Sequence, residues 1–219
     1  VVLFVSALLL VLSTGLYHLF EWKNPSYSGY NFWQKLLCSF FNATTTRTAG
    51  FFTTDPATLS DSGYLLTLIL MFIGGSSGST AGGIKVGTFA VLIMGMFGVF
   101  RGHRDINIGS KKRIDYSLLS QALAIFAACL MMVLLSTLVI CAIEPNKDIF
   151  TEVLYECVSA MGTVGLTQGL TARLTIASRI IIIFLMYAGR VGILTLALAF
   201  GEKRTPSGVR KPIDTLLIG

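Results

Sequence analysis

Two short stretches of this sequence have residue types that could replace the water around a cation. Thr48-Ala49-Gly50-Phe51 and Thr163-Val164-Gly165-Leu166 share a T-x-G pattern. A dehydrated cation needs several oxygens of modest field strength, and rings of backbone carbonyls supply them. Aiming successive carbonyls one way demands torsions that glycine reaches cheaply. A single T-x-G is an ordinary loop glycine; two at equivalent positions between equivalent elements carry more meaning, so the elements around them decide the matter.

Those elements are apolar. Of the 219 residues 53% are hydrophobic and only 13% charged, against roughly 45–50% and about 25% in soluble domains, which argues against a soluble enzyme. About 20 apolar residues cross a bilayer. Residues 1–20 read as one span ending near Tyr17, His18 and Trp22, whose rings suit a membrane interface. The segment 31–41 is apolar on one face and too short to cross, as a re-entrant half-helix would be. Apolar runs at 64–73 and 86–100 flank GGSSGSTAGGIK at 74–85. Residues 117–143 form a further span, 149–161 a second short amphipathic segment, and 174–200 a last span interrupted by Gly189-Arg190-Val191-Gly192.

The order of span, short helix, glycine-containing loop and span occurs twice. Gly50 and Gly165 lie 115 positions apart (165 − 50), and the same offset carries Gly74 to Gly189 and residue 1 to Tyr116. Both T-x-G loops follow a span that starts on the same side, so the units run parallel. Inverted units, which an alternating-access secondary transporter would use, put successive loops on opposite faces; that transporter is the alternative reading.

Gly74, Gly75, Gly78, Gly82 and Gly83 fall within ten positions, each costing a helix about 1 kcal/mol relative to Ala. The span must break there, and irregular backbone at membrane depth survives only against protein or a water-filled cavity. The stretch is not a phosphate loop: Ile84 separates glycine from Lys85, and Val86 holds the position that needs a hydroxyl. That argues against nucleotide hydrolysis by this chain.

The net charge of +6 is not a nucleic-acid footprint. Arg101, Arg104, Lys111, Lys112 and Arg113, then Lys203, Arg204, Arg210 and Lys211, follow apolar spans, the positive-inside pattern, which puts the 101–116 loop and the tail in the cytoplasm. Cys38, Cys129, Cys141 and Cys157 have no metal spacing and read as buried hydrophobes. His18 and His103 are isolated. Val1 lies inside an apolar run without a basic n-region, which reads as a fragment lacking upstream helices rather than a signal peptide.

The run Ala43-Thr44-Thr45-Thr46-Arg47-Thr48-Ala49-Gly50-Phe51, the run GGSSGSTAGGIKV at 74–86, and Met161-Gly162-Thr163-Val164-Gly165-Leu166 with Tyr187-Ala188-Gly189-Arg190 closely resemble the Trk/Ktr/HKT superfamily of cation transporters, most closely its KtrB branch. The resemblance covers the whole chain and implies an all-α membrane protein in which these are the third and fourth of four helix–pore–helix units: 1–100 with a broken second helix, the basic loop 101–116, then 117–201, with a tail at 202–219. It implies uptake of K+ through a selectivity filter, with Gly50 and Gly165 as the filter glycines and K+ held by the carbonyls of Thr48, Ala49, Thr163 and Val164. It implies a gate in the broken helix, at Gly74, Gly75, Ser76, Ser77, Gly78, Ser79, Thr80, Gly82 and Gly83, with Lys85 at its end and Arg190 in the last helix. It further implies a homodimer in a bacterial inner membrane, resting on a cytoplasmic ring of nucleotide-binding proteins of the KtrA or TrkA kind. Nucleotide would bind that partner, and this chain would hold no cofactor beyond K+, with Na+ an influence in related members.

Three charges can be weighed on physical grounds. Arg190 sits among apolar neighbours and no Asp or Glu shares its span, while a charge at bilayer depth costs at least about 2.5–3.5 kcal/mol. Its expected acceptors are carbonyls freed by the 74–83 break and hydroxyls of Ser76, Ser77, Ser79 and Thr80; either it bars cations there or it only anchors two helices. Lys85 either snorkels to the cytoplasmic side or touches the gate. Arg47 beside Thr48 is expected to brace pore-loop carbonyls or to pair with Glu156 or Glu152, since an ion-facing arginine would repel the cation.

Overall fold

A computed structural model describes residues 2–76, 78–101, 106–108, 112–114, 116–145 and 149–192. Its architecture is helical. Seven α-helices occur among the described residues: α1 (Val2–Phe20), α2 (Phe32–Thr45), α3 (Asp61–Phe72), α4 (Val86–Phe100), α5 (Tyr116–Ile143), α6 (Phe150–Gly162) and α7 (Ile176–Val191). Among the described residues, only Val2–Phe20 and Ser117–Ile143 are helices long and apolar enough to cross a membrane alone. At 1.5 Å per residue, α2 and α6 reach about 20 Å, short of the roughly 30 Å hydrocarbon layer.

The short helices show why the chain does not fold as a soluble domain. On α2 the buried face is Ser39, Asn42, Ala43 and Thr45, while Trp33, Leu37 and Phe40 point outward. That is the reverse of a water-facing helix. In contrast, α6 is buried over most of its length, from Val153 to Gly162, and packs against α3, α5 and α7. Met71, Ile140, Val153, Cys157, Met161, Ile182 and Leu185 close this core. Near the end of α1, His18, Trp22 and Phe32 meet edge to face, and the Lys35 ammonium lies 4.7 Å from the Trp22 ring.

The 115-residue offset recurs in detail that the sequence alone does not display. Asp61 and Ile176 begin α3 and α7, and the residues before them, Ser60 and Thr175, cap those helices by accepting the backbone N–H of Gly63 and Ser178. In each half a glutamate just past the first helix holds that cap. Glu21 Oε1 accepts from the Ser60 N–H at 3.1 Å and its hydroxyl at 2.5 Å; Glu144 Oε1 accepts from the Thr175 N–H at 2.9 Å and its hydroxyl at 2.8 Å.

Some boundaries differ from the sequence reading. The Ser60 cap starts α3 three residues earlier than the apolar run, and α2 continues past Phe41 to Thr45 because its polar last turn is buried. Gly189-Arg190 does not interrupt the last span. The interruption falls at the end of the Gly189-Arg190-Val191-Gly192 run: α7 continues through Gly189 and Arg190 to Val191, and Gly192 (φ 87°) caps it; Gly189 is a contact point, where a Cβ would stand 2.1 Å from the Met161 carbonyl oxygen. Within the 101–116 loop, β1 (Ile106–Ile108) and β2 (Lys112–Ile114) form an antiparallel pair with Asn107 opposite Arg113. Arg104 and Lys111 of that loop, Ser77 and residues 193–219, the tail at 202–219 among them, lie outside the described residues.

Candidate functional site

The two T-x-G loops lie against each other. A Cβ on Gly50 would stand 2.5 Å from the Val164 carbonyl oxygen and 3.4 Å from Gly165 Cα. Thr48 (φ 70°) and Thr163 (φ 51°) are the two non-glycine residues of positive φ among the described residues, and Gly50 (φ 74°) and Gly165 (φ 92°) share that sign two positions later. A threonine in this region costs of order 1–3 kcal/mol, and such strain concentrates at functional sites.

Each loop hangs from the C-terminal end of its half-helix. The Ala49 N–H donates to the Thr45 carbonyl at 3.1 Å, and the Val164 N–H to the Ser159 carbonyl at 2.9 Å. The Thr45 hydroxyl closes the first loop, donating to the Phe51 carbonyl and accepting the Phe51 N–H at 3.1 Å. The carbonyls of Thr48, Ala49, Gly50, Thr163, Val164 and Gly165 accept no hydrogen bond from any described residue, and of these residues only Val164 is buried, so the others are open to a ligand. Two helix C-termini, each worth about half a negative charge, end at these oxygens.

Glu156 is 5% exposed and braces the chain just beyond the second loop: it accepts from the hydroxyls of Thr167 and of Thr171, the latter at 2.9 Å. Glu152 is taken by Arg173 at 2.6 Å. Arg47 therefore pairs with neither glutamate; its Nη1 donates to the Gly74 carbonyl at 3.3 Å, and its buried Nη2 has no partner among the described residues. Of the two roles open to it, bracing a carbonyl is the one the structure contains, and that carbonyl belongs to the broken helix rather than to the T-x-G loop.

The break itself is a loop pinched at its neck. Gly74 N–H donates to the Ile84 carbonyl at 2.8 Å, Ile84 N–H to Phe72 at 3.2 Å and Val86 N–H to Gly75 at 3.0 Å. Both T-x-G loops and the last helix grip it. Beside the Arg47 contact, the Gly82 N–H donates to the Thr163 hydroxyl at 2.9 Å, and Arg190 Nη1 donates to the Thr80 carbonyl at 2.5 Å. Gly82 permits the closeness, since a Cβ there would stand 2.6 Å from Thr163 Cγ2. Lys85 turns back on the loop, its ammonium donating to the Ser79 carbonyl at 3.0 Å and to that of Ala81. Ser79 ties the loop to itself through the Ser76 carbonyl at 2.7 Å. A cleft of about 520 Å³ carries Arg190, Glu156, Thr163 and Gly165 on one surface.

The arrangement can present two sets of unpaired carbonyls to one point, with a cation-bearing loop beside them. No group of acidic, histidine or cysteine side chains suited to a metal ion occurs among the described residues. Thr167 and Thr171 escaped the sequence reading because isolated threonines carry no spacing signal, and Thr45 entered it only as one of a run of three; each acts through a contact six to fifteen residues away.

Comparison with known proteins agrees over nearly the whole chain. The family model described as TrkH, cation transport protein, matches residues 1–209. The chain is 38% identical over 200 residues to the Ktr system potassium uptake protein B of Bacillus subtilis (strain 168), covering 91% of this chain and 44% of that protein. It is 35% identical over 223 residues to the potassium/sodium uptake protein NtpJ of Enterococcus hirae, covering 100% of this chain and 49% of that one. The chain thus spans about half the length of these relatives. The crystal structure of the potassium transporter TrkH from Vibrio parahaemolyticus superposes with a TM-score of 0.71 at 21% identity, over 90% of this chain and 43% of that one, a likeness of fold.

Proposed function

Because the chain belongs to the TrkH family of cation transport proteins, we propose that it forms half of a potassium-uptake route, with Thr48–Phe51 and Thr163–Leu166 as two neighbouring quarters of its selectivity filter. The observation that carries this reading is the set of unpaired carbonyls at Thr48, Ala49, Thr163 and Val164 in two touching loops. Positive φ at every second residue turns consecutive carbonyls toward one side, and the strained threonines are what that backbone costs. The other half of a full-length subunit supplies the remaining oxygens.

The 74–83 loop with Lys85 and Arg190 acts as a gate below the filter. Its fixed cations repel K+ while the loop is in place, and the grip of Arg190 on Thr80 and of Thr163 on Gly82 holds it there. The units 1–100 and 117–201 work as the third and fourth of four, joined by the 101–116 loop on the cytoplasmic side. That loop and the tail dock a ring of nucleotide-binding regulators of the KtrA or TrkA kind under a homodimer in the cell membrane. Nucleotide binds the ring, and K+ is this chain's cargo.

The test is transport by the full-length protein in a potassium-uptake-deficient bacterium, with Gly50→Ser and Gly165→Ser as variants. Because the E. hirae relative is named for both ions, K+ and Na+ uptake are measured together. Each serine is expected to lower the preference for K+ by at least about tenfold, equivalent to about 1.4 kcal/mol. Unchanged uptake and preference in both variants would remove the filter assignment.

A further inference from the structure

Beneath the first T-x-G loop, where α1, α3, the last turn of α2, the 52–56 segment and α6 converge, lies a small cavity of about 20 Å³. A space of about 10–15 Å³ on this measure holds one water molecule, so there is room for one. Its walls carry the side chains of Tyr17, Asn42, Thr45, Thr54, Thr67 and Tyr155. None of these is charged, which argues against a resident ion: a buried cation without a carboxylate or a ring of carbonyls is poorly compensated.

The polar groups around the cavity fall into two sets. Tyr17 Oη and Thr67 Oγ1 bond each other at 2.6 Å, the Thr67 hydroxyl lies 2.7 Å from the Gly63 carbonyl, and Asn42 Nδ2 donates to Tyr27 Oη at 3.0 Å. The Tyr155 and Thr54 hydroxyls, by contrast, are buried with no hydrogen-bond partner among the described residues. Tyr155 is the decisive one, because the residue is 0% exposed. A buried phenolic O–H almost always finds an acceptor, and buried waters typically make about three hydrogen bonds to such otherwise unsatisfied groups.

We infer that this cavity is a binding site for a single ordered water molecule that accepts the Tyr155 O–H and donates to hydroxyl or amide oxygens on the facing wall. The water joins the two halves of the chain behind the loops. Tyr155 belongs to α6, which carries the second T-x-G, whereas Thr45 and Thr54 flank the first, and Thr45 already fixes Phe51. A hydrogen-bonded water there transmits the position of one half-helix to the loop hung from the other. Tyr155 is accordingly a positioning residue, with no contact to a permeating ion.

The site can be tested without assuming what the loops conduct. The full-length protein in lipid nanodiscs is solved at a resolution that shows waters, in potassium, sodium and choline buffers, as wild type and as Tyr155→Phe. The expected result is one density peak in the cavity about 2.7–2.8 Å from Tyr155 Oη, the same in all three buffers and absent or displaced in Tyr155→Phe. Wild-type density without a peak overturns the proposal, as does direct bonding of Tyr155 Oη to a protein atom. A peak in sodium buffer alone marks a cation and overturns it too, and a peak unmoved in Tyr155→Phe removes the role given to Tyr155. As a second readout, Tyr155→Phe is expected to relax K+ over Na+ discrimination by roughly three- to tenfold with folded yield maintained, and Phe32→Leu, on the outer face of α2, to leave it unchanged.

Discussion

An alanine at position 50 would have to share space with a carbonyl, and one at position 165 would not. Both glycines have positive φ, for which a side chain costs about 1–2 kcal/mol, a factor of roughly 5–30 in an equilibrium. Only at Gly50 would the new Cβ also press on backbone, 2.5 Å from the Val164 oxygen; at Gly165 the nearest atom, Gly50 Cα, is 3.6 Å away. Gly50→Ala is therefore expected to lower potassium uptake by the full-length protein further than Gly165→Ala does, measured side by side at matched expression. Equal losses would mean that torsion, not crowding, sets the requirement. The T-x-G pairs were legible in the sequence because glycine and the offset mark them. The left-handed threonines were not, since no residue preference points a threonine to that torsion. Nor was the partner of Arg47: burial of a guanidinium announces that an acceptor is needed, and only the fold selects Gly74 over Glu152 and Glu156.

Each half fastens its second long element with a carboxylate. Glu21 and Glu144 end the first helices and take both donors of the cap residues Ser60 and Thr175, and a negative charge at a helix N-terminus also meets the favourable end of its dipole. Hydrogen bonds from the Ser178 hydroxyl, then from the Thr175 N–H, hold the Glu144 carboxyl below the usual carboxylate range. A depressed folded-state value contributes stability that is fully present above the unfolded value of about 4.3 and is lost as pH falls through the folded value. Glu144→Gln is accordingly expected to lower the melting temperature of the full-length protein at pH 7, with the gap to wild type closing as the pH drops below about 4; a gap independent of pH would refute the linkage. At this scale the sequence revealed most helices, because apolar length and glycine clusters are one-dimensional signals. Within the Gly189–Gly192 run it could not tell the two glycines apart: Gly192 caps α7, whereas Gly189 stays helical and lies against Met161. The caps were missed for the same reason: Glu21 and Ser60 are 39 positions apart.

Across the whole molecule the apolar surface is largely outward. Leu3, Trp33, Leu37, Phe100 and Ile176 are each more than 60% exposed, as suits a membrane chain of the cation transport family. The membrane setting also bears on Arg190, whose charge meets a loop carbonyl and, among the described residues, no carboxylate. Arg190→Ala is expected to raise rubidium flux into liposomes carrying the full-length protein without its regulator by on the order of tenfold, because loss of about 1.4 kcal/mol of barrier is a factor of ten. Flux and regulation both unchanged would leave Arg190 a helix anchor only.

Thr163 stands between two elements: its hydroxyl accepts the Gly82 amide N–H, and the carbonyl of the next residue, Val164, lies against Gly50. A load placed on either side of this one residue is felt on the other. Under the proposed filter and gate, if swinging the glycine-rich segment away tilts Thr163, then an ion seated on the carbonyls of its loop resists or assists that swing by an equal free energy. Occupancy and opening then become conjugate variables, and the concentration of the transported ion joins the influences that set how long the route stays shut.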